Sequence, residues 1–151
     1  TFDWAATLDD SSPDTDLGAK FSIPWGVASM LVRKSAGADD FRVQALGDPI
    51  LRKVAARIKV KEDPKFTAMT PSKRPASVTV RTKDGRILEE EVGGSAGGPD
   101  APLAKEKLQE KFRSLAEPII GAKRSRTILE MVDRITEISD IRNLTELLMP
   151  S

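Results

Sequence analysis

The sequence predicts an α+β fold, a small antiparallel sheet with packed helices followed by a C-terminal helical segment. Three observations carry this. Around Pro24, apolar residues recur at helical spacing. Around Asp84-Gly85, two β-rich runs flank the best short-range hairpin signal in the chain. Beyond Pro102 the pattern is helical throughout, with apolar stripes stepping by three and four residues.

The stretch Lys20 to Arg33 organises the chain. Pro24, with a fixed φ and no N–H, suits the first turn of a helix, and Ser22 stands where it can cap the free N–H groups ahead of it. Trp25, Ala28, Leu31 and Val32 then mark the side expected to be buried. Two readings of this corner stand open. One is a capped helix whose Trp is core; the other is an indole and a hydroxyl facing a carboxylate at a positive helix end. Ser35 to Ala38 ends the helix, and Asp39-Asp40-Phe41 turns the chain. Asp48-Pro49 restarts a short helix, with Ile50, Leu51, Val54 and Ala55 on its apolar side. Arg57 to Lys61 alternates cleanly, which predicts a strand with Ile58 and Val60 inward. Pro64, Pro71 and Pro75 mark residues 62–75 as an exposed connection. The hairpin pairs Ala76–Thr82 with Arg86–Val92, Val78 and Val80 pointing to the core. Glu89, Glu90 and Glu91 make the second strand an edge.

Residues 93–101 form a Gly-rich hinge, lacking the Gly-Lys-Ser/Thr of a phosphate loop. In the helical segment 102–151, Leu108, Phe112, Leu115 and Ile119 form one stripe, ended by Gly121 in a left-handed cap. Ile128, Met131, Val132, Ile135 and Ile138 form a second, with Glu130 and Arg134 paired across one turn. Lys123, Arg124 and Arg126 open that helix, where cations are disfavoured, and read as a solvated face or as the counterpart of an acidic neighbour. Asp140 caps a last helix carrying Leu144, Leu147 and Leu148, stopped by Pro150. These stripes need a partner layer: each other, the sheet, or something outside the chain. At the other end, residues 1–17 form an acidic segment in which Phe2 and Trp4 are the two groups able to anchor on a partner surface.

Composition excludes several chemistries. The 151 residues carry 24 Lys and Arg against 23 Asp and Glu, a net charge of +1 that implies no nucleic acid or other polyanionic partner. No 18-residue apolar run exists to cross a membrane, and no secretory leader is visible. The absence of cysteine removes disulfides and thiolate sites and fits a reducing, cytoplasmic compartment. With no histidine there is no Ser-His-Asp triad and no histidine zinc site, so acid–base work needs a strongly shifted Lys, Asp or Glu. The chain reads as chemically incomplete.

Lys20-Phe-Ser-Ile-Pro-Trp-Gly-Val-Ala28, Gly47-Asp-Pro49, Val78-Thr-Val-Arg-Thr-Lys-Asp-Gly85, and Pro102-Leu103 leading to Lys111-Phe112-Arg113 occur in that order. Together they resemble the C-terminal part of the MmgE/PrpD family, which includes 2-methylcitrate dehydratase, cis-aconitate decarboxylase and iminodisuccinate epimerase. The resemblance covers about residues 18–149. It implies that residues 18–92 are an α/β lid over a cleft for a di- or tricarboxylic acid. The cleft would belong to a large helical domain or subunit carrying the main catalytic residues, histidines among them. It implies that the helices of 102–151 pack on the lid or on that domain, that the full enzyme is a homodimer, and that no metal or other cofactor is needed. Trp25 falls where the family pattern Phe-Ser-x-x-Tyr places an aromatic hydroxyl over the substrate. An indole keeps the flat wall and offers an N–H in place of the phenolic O–H. Trp25, Ser22 and Lys20 are therefore the substrate-binding candidates, with no catalytic residue assigned to this chain.

Three functional readings follow. The first is the lid portion of an MmgE/PrpD-type lyase or isomerase, inactive as this chain alone. The second is a stand-alone α/β protein-interaction module without catalysis. The third, a hydrolase using the amine of Thr1 as base, lacks any identifiable oxyanion hole.

Overall fold

Side-chain caps start four of the α-helices in the structure, a computed structural model that describes residues 1–98 and 101–149. Helix α1 (Asp3–Ala6) opens the chain, and α2 (Asp16–Lys20) starts where Thr15 accepts the Gly18 N–H at 3.0 Å. Helix α3 (Ile23–Arg33) begins at Ser22 and Pro24 and closes on Lys34, whose φ of 55° is left-handed. A 3-10 turn (Ala38–Phe41) and α4 (Val43–Leu46) lead to α5 (Pro49–Ala55), where Asp48 accepts from Ile50 N at 2.8 Å and Leu51 N at 3.3 Å. Helix α6 (Pro64–Thr67) repeats that Asp-Pro device with Asp63. Strands β1 (Ala76–Arg81) and β2 (Ile87–Val92) follow, then α7 (Lys105–Ile120), α8 (Ala122–Asp133), a 3-10 turn (Ile135–Glu137) and α9 (Arg142–Leu148). Nine α-helices and one two-stranded antiparallel sheet among the described residues make the fold α+β. Contacts divide the chain into two units, Thr1–Ser95 and Ala96–Ser151.

The core of the first unit lies between α3 and α5. Ala19, Trp25, Ala28, Leu46, Leu51 and Ala55 form it, with Phe41, Val54 and Ile58 packed against it. The buried side of α3 is Pro24, Trp25, Ala28 and Ser29, while Leu31 (53 % exposed) and Val32 (37 %), expected inside, face out. Ile23, Val27, Met30 and Leu31 give this helix a second apolar side, so spacing alone does not select the one that α5 covers. Ile50 departs from expectation in the same way and is exposed. Residues 1–8 lie against the 61–67 segment: the Thr1 amine donates to Lys61 O at 3.0 Å, Asp63 N to Thr1 O at 2.7 Å, and Asp3 N to Thr67 Oγ1 at 3.0 Å. Phe2 and Trp4 stack with centroids 6.4 Å apart. In the connection over 62–75, expected to be exposed, Phe66 and Pro75 are buried.

The hairpin forms as its Asp-Gly signal predicts. Gly85 N donates to Thr82 O at 3.1 Å, Thr82 N to Arg86 O at 3.0 Å, and Gly85 takes the φ of +87° that a glycine supplies without strain. Its register pairs Ala76 with Val92, Val78 with Glu90 and Val80 with Leu88, so one face is apolar apart from Glu90. That face is covered only in part: Ala76 and Val80 are half-buried, Val78, expected in the core with Val80, is 44 % exposed, and β2 is exposed at every position. The strand expected over Arg57–Lys61 does not form either. Ile58 reaches the core as anticipated, but no strand among the described residues pairs with the segment.

In the second unit, Gly121 ends α7, but not in the left-handed cap expected: φ 79° with ψ 154° lies outside the left-handed helical region, in one that other residues avoid. Nothing lies within 4 Å of a Cβ built there, so Gly121→Ala tests backbone strain alone. It is expected to lower the stability of this unit by about 1–3 kcal/mol, measured by urea unfolding. Helix α8 stops at Asp133, five residues before Ile138 and short of Ile135. Arg134 leaves the helical path (φ −119°, ψ 30°) and pairs with Glu137 at 2.7 Å instead of Glu130. Asp140 Oδ1 accepts from Arg142 N at 2.9 Å at the start of α9. Pro150, expected to stop α9, and residues 99–100 of the Gly-rich stretch lie outside the described residues.

Candidate functional site

The α2–α3 corner holds all three candidates. Ser22 accepts the Trp25 N–H at 2.9 Å on its Oγ and donates the hydroxyl proton to Asp10 O, so its donor is spent inside the fold. Trp25 has no exposed surface, and its indole N–H donates to Asp40 O at 2.9 Å. Lys20 closes α2 and is exposed; among the described residues it makes no ion pair. The fold thus brings the three together in sequence and space, two of them as structural partners and one with its charge in solvent.

Behind Trp25 lies an ionic group that the sequence reading did not single out. The Asp40 carboxylate accepts from Ser35 Oγ at 2.7 Å, Gly37 N at 2.9 Å and Arg33 Nη1 at 3.1 Å. Arg33 Nη2 reaches Asp48 Oδ2 at 2.9 Å, and Asp48 Oδ1 caps α5. One guanidinium therefore ties the 3-10 turn beneath the indole to the start of α5. Burial pushes the Asp40 carboxyl up, but Ser35, Arg33 and the Gly37 N–H outweigh it and leave it below its ordinary 3.8. Arg33 and the Ile50 N–H hold Asp48 below the same value. A carboxyl lowered by folding stabilises above its unfolded value and loses that contribution as pH falls through its folded value. The urea midpoint is expected to be level down to about pH 5 and to fall below about pH 4, and Arg33→Ala is expected to flatten that acid limb. Arg33, at position eleven of α3, carries no local mark of a distant partner, so only the folded turn reveals the group.

The second unit offers a groove of about 420 Å³ between α7 and α8, lined by Gln109, Arg113, Glu117, Arg126, Glu130 and Asp133. Its lining sets two arginines against three carboxylates. Asp133 is held by Lys105 at 2.8 Å and Gln109 at 3.4 Å, and Arg113 donates to Gln109 Oε1 at 3.3 Å. Of the basic group opening α8, Arg124 donates to Met149 O at 2.7 Å, completing the end of α9. Among the described residues no three Asp or Glu side chains converge to hold a metal ion, and no helix is long and apolar enough to cross a membrane. The Thr1 amine, which an N-terminal nucleophile would use as its base, is engaged with Lys61 O.

Mouse (Mus musculus) cis-aconitate decarboxylase is 24 % identical over 136 residues, covering 90 % of this chain and 28 % of the relative's own length. A family model, MmgE/PrpD C-terminal domain, matches residues 2–137, reaching nearer the amino terminus than the four motifs do and ending before α9. That match spans the core between α3 and α5, the hairpin and the α7–α8 pair, and so the chain belongs to the MmgE/PrpD family as a C-terminal domain.

Proposed function

We propose that this chain is the substrate-closing portion of an MmgE/PrpD-type lyase or isomerase acting on a di- or tricarboxylic acid. A histidine-bearing helical domain or subunit would abstract the proton α to a carboxylate, and this portion would exclude water and fix the acid's charge. The observation that carries the reading is the uncovered apolar surface of α7–α9. Leu108, Leu115, Ile119, Val132 and Leu148 are each 46 % exposed or more, in a chain spanning 28 % of a family relative. Such faces are left bare by helices that belong against another layer. The Gly-rich stretch is the hinge of the closing motion, and the enzyme is a cytoplasmic homodimer in this reading.

At the α2–α3 corner, Lys20 is the direct substrate contact, pairing with a carboxylate. Ser22 and Trp25 act beneath it by holding the helix start and the Asp40 turn. The chain alone is expected to incorporate no solvent deuterium into cis-aconitate or a panel of related acids. Joined to a helical domain of the same family member, it is expected to do so. In that joined enzyme Lys20→Ala is expected to raise KM by about tenfold, the loss of one charge-assisted contact, with kcat changed less. Exchange by the isolated chain, or none by the joined protein, would overturn the proposal. The latter result, with tight binding between the parts, would favour the interaction-module reading.

A further inference from the structure

The hairpin has two free edges of opposite character. Thr82 N donates to Arg86 O, and in an antiparallel ladder the bonded pairs recur at every second residue. Val80 is therefore bonded to Leu88 and Val78 to Glu90. The N–H and C=O groups of Ser77, Thr79 and Arg81 point outward from β1, and those of Ile87, Glu89 and Glu91 outward from β2. Among the described residues, the backbone of Ser77, Thr79 and Arg81 bonds to nothing beyond the hairpin, and Ser77, Val78, Thr79 and Arg81 are all exposed. An open row of this kind is a template for another strand. The side chains decide how a second copy can use it. Along β2, the antiparallel pairing that engages the whole strand sets Glu89 directly against its own counterpart, and like charges so placed are destabilising. Setting β1 against the β2 of another copy flanks Thr79 with two Glu89 side chains and Ser77 with two Glu91 side chains. Strand β1 itself carries no acidic residue.

The geometry points to the free edge of β1 as the site where a second copy of this chain docks, antiparallel and centred on Thr79, joining two hairpins into one four-stranded sheet. Thr79 meets the partner's Thr79, and Ser77 meets the partner's Arg81, so every outward backbone group of the strand is satisfied. Val78 lies opposite the partner's Val80, in a closely spaced pair of the non-hydrogen-bonded kind, where branched side chains pack against each other. That contact covers Val78, which is 44 % exposed in the single chain. On the other face the charges match. Arg81, the partner's Ser77 and the partner's Glu91 fall in one row, and neither Arg81 nor Glu91 makes an ion pair among the described residues of one chain. Backbones two strands apart are separated by about 10 Å, and the small serine between them leaves Arg81 room to reach the carboxylate. Two-fold symmetry makes two such pairs. Docking along this edge supplies a surface for the homodimer proposed above and depends neither on Lys20 nor on the closing motion.

In sedimentation equilibrium the 151-residue chain is expected to be a monomer and a dimer whose proportions shift with concentration. The chain holds no cysteine, so Thr79→Cys supplies a single thiol. Two copies are expected to join through it in a disulfide, because Cα atoms about 5.5 Å apart across the axis suit that bond. Glu89→Cys, on the far edge, is expected to stay largely unlinked. Arg81→Glu turns two attractions into two repulsions and is expected to weaken association about tenfold. Adding Glu91→Arg restores opposite signs in the same row and is expected to recover it. Slow amide exchange at Val80 and Leu88, inside the ladder, reports that the hairpin is intact in each variant. A chain that stays monomeric at every concentration, a dimer indifferent to Arg81→Glu, or a Glu89→Cys crosslink equal to that of Thr79→Cys overturns the proposal. None of these results alters the deuterium incorporation expected of the joined enzyme, so the two readings fail separately.

Discussion

Trp25→Ala is expected to remove about 3–5 kcal/mol from the first unit, the cost of truncating a large, fully buried aromatic. Two losses combine. The indole body fills the space bounded by Ala19, Ala28, Leu46, Leu51 and Ala55, where small neighbours cannot collapse inward by much. Its N–H also satisfies Asp40 O, in a residue that is itself buried. Trp25→Phe separates the two terms, keeping most of the ring while leaving that carbonyl without its donor, and is expected to cost about 1–3 kcal/mol. Urea unfolding followed by far-ultraviolet circular dichroism measures both. Fluorescence is the weaker probe, because the other tryptophan, Trp4, is exposed and stacked on Phe2. A loss below about 1 kcal/mol for the alanine variant would mean that the indole is not a structural member of this core.

The same residue shows how far the sequence could be read. Ser22 and Pro24, Asp48 and Pro49, Asp84 and Gly85, and Gly121 act within one turn of themselves, and each does in the structure what its side chain or backbone freedom dictates. Side selection is different in kind. Helix α3 is apolar on two sides, and the choice between Leu31 and Ser29 for burial is made by where α5 lies. Strand formation at Arg57–Lys61 also depends on a distant partner: the alternation was legible, the missing neighbour was not. Val78 repeats the lesson, since the hairpin itself was legible while the exposure of Val78 depends on what packs against that face. At the candidate site, the cap by Ser22 was readable, but the closure of the indole N–H on Asp40, and of Asp40 on Arg33, joins residues seven to fifteen positions apart through a turn.

Leu51→Ala is expected to be the second most damaging change, at about 2–5 kcal/mol, because Leu51 is fully buried on α5 directly within the cluster that holds Trp25. Its effect reaches beyond volume. Leu51 N is one of the two groups capped by Asp48, and Asp48 is the far end of the Arg33 bridge, so the side chain that packs and the backbone that is capped belong to one residue. The double variant with Trp25→Ala distinguishes a shared core from two separate supports. If both residues fill one cavity system, the second truncation meets a region already relaxed, and the combined loss is expected to fall short of the sum by about 0.5–3 kcal/mol. Losses that add to within a few tenths would mean that α3 and α5 are held independently. The core would then not be the element that couples the α2–α3 corner to the rest of the first unit.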